Sequence, residues 1–398
     1  MSIYSMKAIM AHNFDRIINR TKTNSVKHDT AVQHDKPLGI LPLWVADMDF
    51  PAPTAVIRAL EEKVRHGIFG YSQSLGNDIR PVLQWMERHF NWQAQAGWLV
   101  QTPGVVFAIA TAIRAFTRPE QSIMVQQPVY YPFSSLIVNN RRNLVVNPLS
   151  LRNGSYTIDF DDFEAQIKRH DVKMFILCNP HNPVGRVWTA GELTCMGDVC
   201  RQQGVLVISD EIHQDFIWPG HLHRVFAGIK PEFNDITITC TAPSKTFNLA
   251  GLQLSNIFIA NERLRAAFTD EMQRAGYGAP NIMGIVACGA AYEHGALWLE
   301  ELKQYLLGNI ALVRDFLKTR LAEIKLVEPQ GSYLLWLDFR ALNLGNDELD
   351  ELIVHKADLW LDDGPMFGLG GEGFQRINIA CSRQLVHEAM LRLERALA

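Results

Sequence analysis

Short apolar runs alternate with longer amphipathic stretches through the middle of the chain. Residues 173–178 (KMFILC), 204–209 (GVLVIS) and 235–240 (DITITC) are rich in Ile, Val, Thr or Phe, and polar, turn-forming residues follow each. Runs of this length predict strands buried on both faces. Between the first two, residues 189–203 open on a Thr-x-x-Glu box (Thr189, Glu192), keep helical spacing and stop at Gly204, which predicts a helix. Strand, helix and strand in that order predict a parallel sheet covered by helices. From 291 to 324, Trp298, Leu302, Tyr305, Val313, Leu317, Leu321 and Ile324 recur at helical steps. They predict one long amphipathic helix, or two with a break at Gly308. Beyond Pro329-Gln330-Gly331 the pattern returns to strands at 333–339 and 376–380 around a helix near 347–355, a smaller α+β unit. No repeat or low-complexity tract interrupts the series.

Composition adds exclusions. The chain has 398 residues, 47% hydrophobic and 20% charged, a globular mix that rules out disorder and a small disulfide scaffold. Thirty-eight basic against 42 acidic residues give a formal charge of −4, which predicts neither a nucleic-acid footprint nor a polybasic membrane surface. Arg141–Arg142 reads as a solvated turn. The cysteines (178, 195, 200, 240, 288, 381) show no C-x-x-C spacing and read as reduced thiols of a cytoplasmic protein. Residues 1–20 hold no apolar core of a signal peptide. No apolar run approaches the roughly 18 residues of a membrane span.

The candidate chemistry sits where the three clearest strands end, the place where open parallel sheets gather ligands. Residues 173–178 run into NPHNPVG (179–185), which displays Asn182. Residues 204–209 run into SDEIHQD (209–215), which puts Asp210 just past the strand. Residues 235–240 run into APSKTFNLAGL (242–252), which puts Ser244 and Lys245 on a turn. Singly these are ordinary: a strand-end Asp reads as a helix cap and a Lys as surface. Together they offer an amide, a buried carboxylate and an amine. Pyridoxal 5'-phosphate (PLP) needs that set, because its aldehyde condenses with a lysine and its ring nitrogen must stay protonated to draw electrons. A nearby carboxylate favours the protonated nitrogen, and an amide can hydrogen-bond the ring 3-oxygen.

On these residues the chain resembles a fold-type I PLP-dependent enzyme of the class I/II aminotransferase superfamily, and within it the MalY/PatB branch of cystathionine β-lyase-like C–S lyases. The strings FDRIINRTKTNSVKHD (14–29), PLWVADMDFPAP (42–53), TPGVV (102–106), NPHNPVG, SDEIHQD, SKTFNLAGLQ (244–253) and DDGPMFGLGGEGF (362–374) fall in the family's order. The resemblance implies an α/β fold: a large domain (51–290) with a mostly parallel seven-stranded sheet between helices, and a smaller α+β domain from 1–50 and 291–398. It implies that Lys245 is the Schiff-base lysine and the base for the α-proton, that Asp210 pairs with the ring nitrogen and that Asn182 contacts the 3-oxygen. Tyr130 would stack on the cofactor ring, with Tyr131 as a rival in register. Gly104, Val105 and Val106 would offer N–H groups to the phosphate, and Ser244 a hydroxyl. Tyr71 would reach the phosphate from the second subunit of a homodimer. Arg376, with Asn182, would hold the substrate α-carboxylate.

One position bears on reaction type. Many aminotransferases of the superfamily carry a tyrosine two residues past the Asp-Glu pair; here it is His213, as in the lyase branch. The resemblance therefore implies β-cleavage of a cystathionine- or cysteine-conjugate-type L-amino acid to a thiol, pyruvate and ammonia. The alternatives are an aminotransferase and a PLP-bearing regulatory protein that binds a transcription factor. The family's second phosphate-binding arginine, eight residues after the lysine, is Gln253 here, a change expected to weaken cofactor retention. His28 replaces a common tryptophan, and Ser382 stands where a Cys-Pro-Arg run is common. Two other patterns are set aside. Residues 368–373 satisfy G-x-G-x-x-G but precede a strand near the C-terminus, where a dinucleotide fingerprint cannot work. His213, His221 and His223 crowd near Asp215 without a metal-ligand spacing, and no G-x-S-x-G hydrolase elbow occurs.

Overall fold

The computed structural model describes residues 12–398; the reading of residues 1–11 lies outside it. A seven-stranded sheet runs through the centre. Its strands are β1 Leu99–Thr102, β2 Ser122–Val125, β3 Asn143–Val146, β4 Val172–Cys178, β5 Leu206–Asp210, β6 Thr237–Thr241 and β7 Ser255–Phe258, in the spatial order β1-β7-β6-β5-β4-β2-β3. From β6 to β3 all neighbours are parallel, whereas β7 is antiparallel to both β6 and β1. Along β4, Phe175 and Leu177 enter one apolar core while Met174, Ile176 and Cys178 enter another. Both faces are covered, so the strand is continuously apolar instead of alternating.

The expected strands are present with shifted ends. Asp210 is the last residue of β5 instead of the first beyond it, because its backbone still aligns with Cys178 on one side and Cys240 on the other. The helix after β4 spans Ala190–Gln203; Thr189 accepts from Glu192 N, Glu192 accepts from Thr189 N, and Gly204 closes it at φ 68°. The long amphipathic stretch differs from expectation. It forms helices Ile282–His294 and Ala296–Arg320, bent by 76° at Gly295, and the second runs straight through Gly308. A helical glycine costs only about 1 kcal/mol, and here it makes room for Arg383, whose Nη2 would lie 2.4 Å from an added Cβ. The turn falls at Gly295, where a Cβ would meet Ala291 O and the Phe247 ring at 2.4 Å.

A second sheet holds β8 Lys325–Val327, β9 Leu334–Asp338, β10 Asp362–Asp363 and β11 Phe374–Asn378, antiparallel in the order β8-β9-β11-β10. Leu41–Pro42 pairs in parallel with Leu359–Trp360. This pairing carries residues 43–50 past β11, where Asn378 Nδ2 donates to the carbonyls of Val45 and Asp47. The glycines at 368–373 form a loop leading into β11. Among the described residues, no single helix is long and apolar enough to cross a membrane.

Candidate active site

A cavity of about 190 Å³ opens at the carboxyl ends of β4, β5 and β6. From β6 the chain enters the short helix Pro243–Thr246, which sets Ser244 and Lys245 on the cavity wall. Lys245 Nζ donates to Ala46 O at 2.8 Å. Burial pulls this amine down to about 8; Arg376 adds to the fall, while Asp47 and Asp210 oppose it. Asp210 is 5% exposed, and the one hydrogen bond to its carboxylate among the described residues comes from Ile212 N at 3.1 Å. Burial pushes it up to about 7, against the backbone N–H of Ile212 and the charge of Lys245. A carboxylate so enclosed favours a cationic partner, and no described cation lies within ion-pair distance of it.

The turn after β4 delivers Asn182, whose Oδ1 accepts from Arg376 Nη1 at 3.0 Å and whose carbonyl accepts from Tyr130 N at 3.0 Å. Arg376, on β11, is buried over the Phe367 ring at 5.0 Å. Its Nη2 donates to Trp44 O at 2.9 Å and to Asp362, which lies opposite it on β10. Arg376 Nε is buried and has no partner. His213 is also buried, with Ser332 Oγ 3.2 Å from its Nδ1. Burial, helped by Lys245 and Arg376, holds its pKa well below the usual histidine value, so the ring is neutral at neutral pH. Tyr130 lines the cavity, whereas Tyr131 is not on its wall and packs against Phe367, ring centroids 6.0 Å apart.

Gly104, Val105 and Val106 reach the wall where helix Val105–Phe116 begins, and the first N–H groups of a helix have no acceptor within it. Gln253 lies on the wall too, so Lys245 is the one cation among the lining residues. The cavity thus gathers every expected residue except two. Arg376 stands one hydrogen bond away, through Asn182. Tyr71 is fully exposed, next to exposed Ile68 and Phe69, and does not line the cavity of its own chain. His28 sits outside as well, its Nε2 3.2 Å from Asp49 Oδ1.

Sequence reasoning missed several contributors. The carbonyls of Trp44 and Ala46 and the carboxylate of Asp362 lay inside matched strings, but a main-chain oxygen has no sequence signature. Tyr333, whose hydroxyl donates to Ala46 O at 3.0 Å, looked like any strand aromatic.

The family model for aminotransferase class I and II matches residues 40–393. This chain belongs to that family. It is 42% identical over 386 residues to cystathionine beta-lyase PatB of Bacillus subtilis, an alignment covering 97% of this chain and all of PatB. Cystalysin from Treponema denticola, whose crystal structure contains PLP, superimposes with a TM-score of 0.94 at 38% identity, covering 98% of this chain and 99% of cystalysin. The PLP-bound C–S lyase from Staphylococcus hominis gives 0.92 at 31%, covering 98% and 99%. The side chains present suit the cofactor on their own terms: a buried carboxylate with no cation, an amine of lowered pKa and free helix-start N–H groups complement a ring nitrogen, an aldehyde and a phosphate.

Proposed function

We propose that this chain is a PLP-dependent carbon–sulfur β-lyase that, with one water, splits an L-amino acid bearing a β-thioether, of the cystathionine or cysteine-conjugate kind, into a thiol, pyruvate and ammonia. The observation that carries the reading is the convergence of Lys245, Asp210 and Asn182 on one cavity, with Arg376 hydrogen-bonded to Asn182 behind its wall, in a family member 42% identical to PatB. Bound PLP supplies an aldehyde for the lysine and a ring that takes up the electron pair left by the α-proton. Asp210 would hold the ring nitrogen, Asn182 the 3-oxygen and Tyr130 the ring face. Ser244 and the N–H groups of 104–106 would hold the phosphate.

The remaining work falls to the chain. Arg376 receives the substrate carboxylate as a planar fork, and its link to Asn182 sets that fork beside the ring site. Lys245, with a pKa of about 8, is poised near neutral pH to take the α-proton on Nζ, and Ala46 O, its present partner, steadies the amine once it is free. Neutral His213 fills its position without adding charge. The exposed stretch around Ile68, Phe69 and Tyr71 supports a homodimer in which Tyr71 enters the partner's site. Residues 51–290 would form the cofactor domain and 1–50 with 291–398 the smaller one. Six unpaired cysteines and the balanced charge support a cytoplasmic location.

Incubating the holoenzyme with cystathionine tests the reading. Release of pyruvate and a thiol is expected. Keto-acid-dependent amino exchange without pyruvate would select an aminotransferase instead, and no turnover combined with tight binding of a transcription regulator would select the regulatory role.

A further inference from the structure

The segment that carries His213 has a second cavity beside it. Its next two residues, Gln214 and Asp215, line a separate space of about 540 Å³, well within the range of small-molecule sites. Helix Gly76–Phe90 contributes His89 and Phe90, the loop after Asp215 contributes Trp218, His221 and His223, and helix Ala296–Arg320 contributes Leu299 and Lys303. The group of histidines around Asp215 that the sequence placed together is therefore divided: His213 belongs to the first cavity, and His221, His223 and Asp215 to this one.

The charges of this second wall are unevenly used. Asp215 is buried and both its oxygens are taken, by Trp85 Nε1 at 2.9 Å and Thr246 Oγ1 at 2.6 Å. Lys303 is only partly exposed, yet neither a hydrogen bond nor an ion pair engages it among the described residues. His89 stacks on Trp85, ring centroids 3.8 Å apart. Glu300 is exposed and stands one helical turn from Lys303, without an ion pair to it. Two lining residues keep a buried polar atom with no partner, Gln214 Oε1 and His223 Nδ1. Phe90, Trp218 and Leu299 supply an apolar surface. The wall thus offers an ammonium that Asp215 and Glu300 attract only from a distance, with no direct hydrogen bond or ion pair of its own, beside aromatic and aliphatic carbon.

We propose that this cavity is a binding site for a small amphipathic carboxylate, whose anionic head pairs with Lys303 and whose apolar tail lies against Phe90, Trp218 and Leu299. The same burial that lowers the Lys303 amine strengthens a charge-assisted hydrogen bond made there. Asp215, at its base, holds Thr246, the residue after Lys245, so the site abuts the backbone that positions the reactive lysine.

Titration calorimetry of the holoenzyme with 3-phenylpropionate tests this. Saturable binding is expected, weakened about tenfold in Lys303→Met, with 3-phenylpropanamide weakened to a similar degree. Leu299→Trp, which fills the cavity from the apolar side, should abolish it, and neither substitution should alter the absorbance of the bound cofactor. Absence of saturable binding overturns the proposal. So does equal affinity in wild type, Lys303→Met and Leu299→Trp, which would place the probe in the first cavity.

Discussion

Replacing Asp210 by Asn should stabilise the protein freed of cofactor while weakening its hold on the cofactor. In the folded chain the Asp210 carboxyl stays protonated up to about pH 7, against 3.8 ordinarily. An unfolded chain gives up that proton near pH 4. Between these values the folded state binds more protons, so stability falls as pH rises through the window and stays lowered above it. Carrying the carboxyl from 3.8 to about 7 corresponds to on the order of 4 kcal/mol at pH 8. Asn keeps the shape and can still accept from Ile212 N, but it has no charge to bury. Urea unfolding of apoprotein at pH 4.5, 6 and 8 should show Asp210→Asn gaining on wild type as pH rises, with little difference at the acid end. Cofactor retention on dialysis at pH 8 should move the opposite way, because the ring nitrogen loses its anionic partner. An apo variant less stable than wild type at pH 8, or a gap that ignores pH, would refute the burial argument.

Arg376→Ala should raise KM for the amino-acid substrate at least about 30-fold with little change in the absorbance of bound cofactor; an unaltered KM removes the arginine from substrate binding. Co-expressed Tyr71→Ala and Lys245→Ala chains should regain about a quarter of wild-type activity in mixed dimers if subunits assemble at random, though each variant alone is nearly inactive. No recovery would mean that sites are not shared. Gly371→Ala should cost about 3 kcal/mol or more, since its Cβ would lie 1.9 Å from Gly364 O, whereas Gly370→Ala, at φ 83° with nothing nearer than 3.6 Å, should cost about 1 kcal/mol. Equal losses on thermal denaturation would show that close packing does not explain the glycine string.

The central strands were legible because a strand buried on both faces has a run of apolar residues with no polar interruption, as in Phe175, Ile176 and Leu177. The helix after β4 was legible for a local reason too, its Thr189–Glu192 box and Gly204 stop. The site residues at strand ends followed from those strands. What could not be read is what depends on distant contacts. The helix break falls at Gly295, not Gly308, because Phe247 presses on the former and Arg383 fills the space over the latter, and neither neighbour is close in sequence. The same holds for Ala46, which meets Lys245 only because Leu41–Pro42 pairs with Leu359–Trp360 some 318 positions away. A cavity wall made of such contacts, like that around Lys303, leaves no motif at all.

The two cavities also differ in how their charges are arranged, and the difference has one physical root. In the first, Lys245 and Asp210 are both driven toward neutrality by burial, the amine down to about 8 and the acid up to about 7, while Arg376 is held in place by Asp362 and Asn182. An amine that gives up its proton easily and an acid that ionises only beside a cation suit a reaction that begins with proton removal next to a protonated ring. The arginine, already ordered by three partners and with Nε still unpaired, loses little freedom when a carboxylate arrives. In the second cavity the buried acid Asp215 is satisfied by Trp85 and Thr246, and the partly buried amine of Lys303 is left without a direct partner, with exposed Glu300 one helical turn away. The first is therefore organised to change protonation state, and the second to pair with an anion.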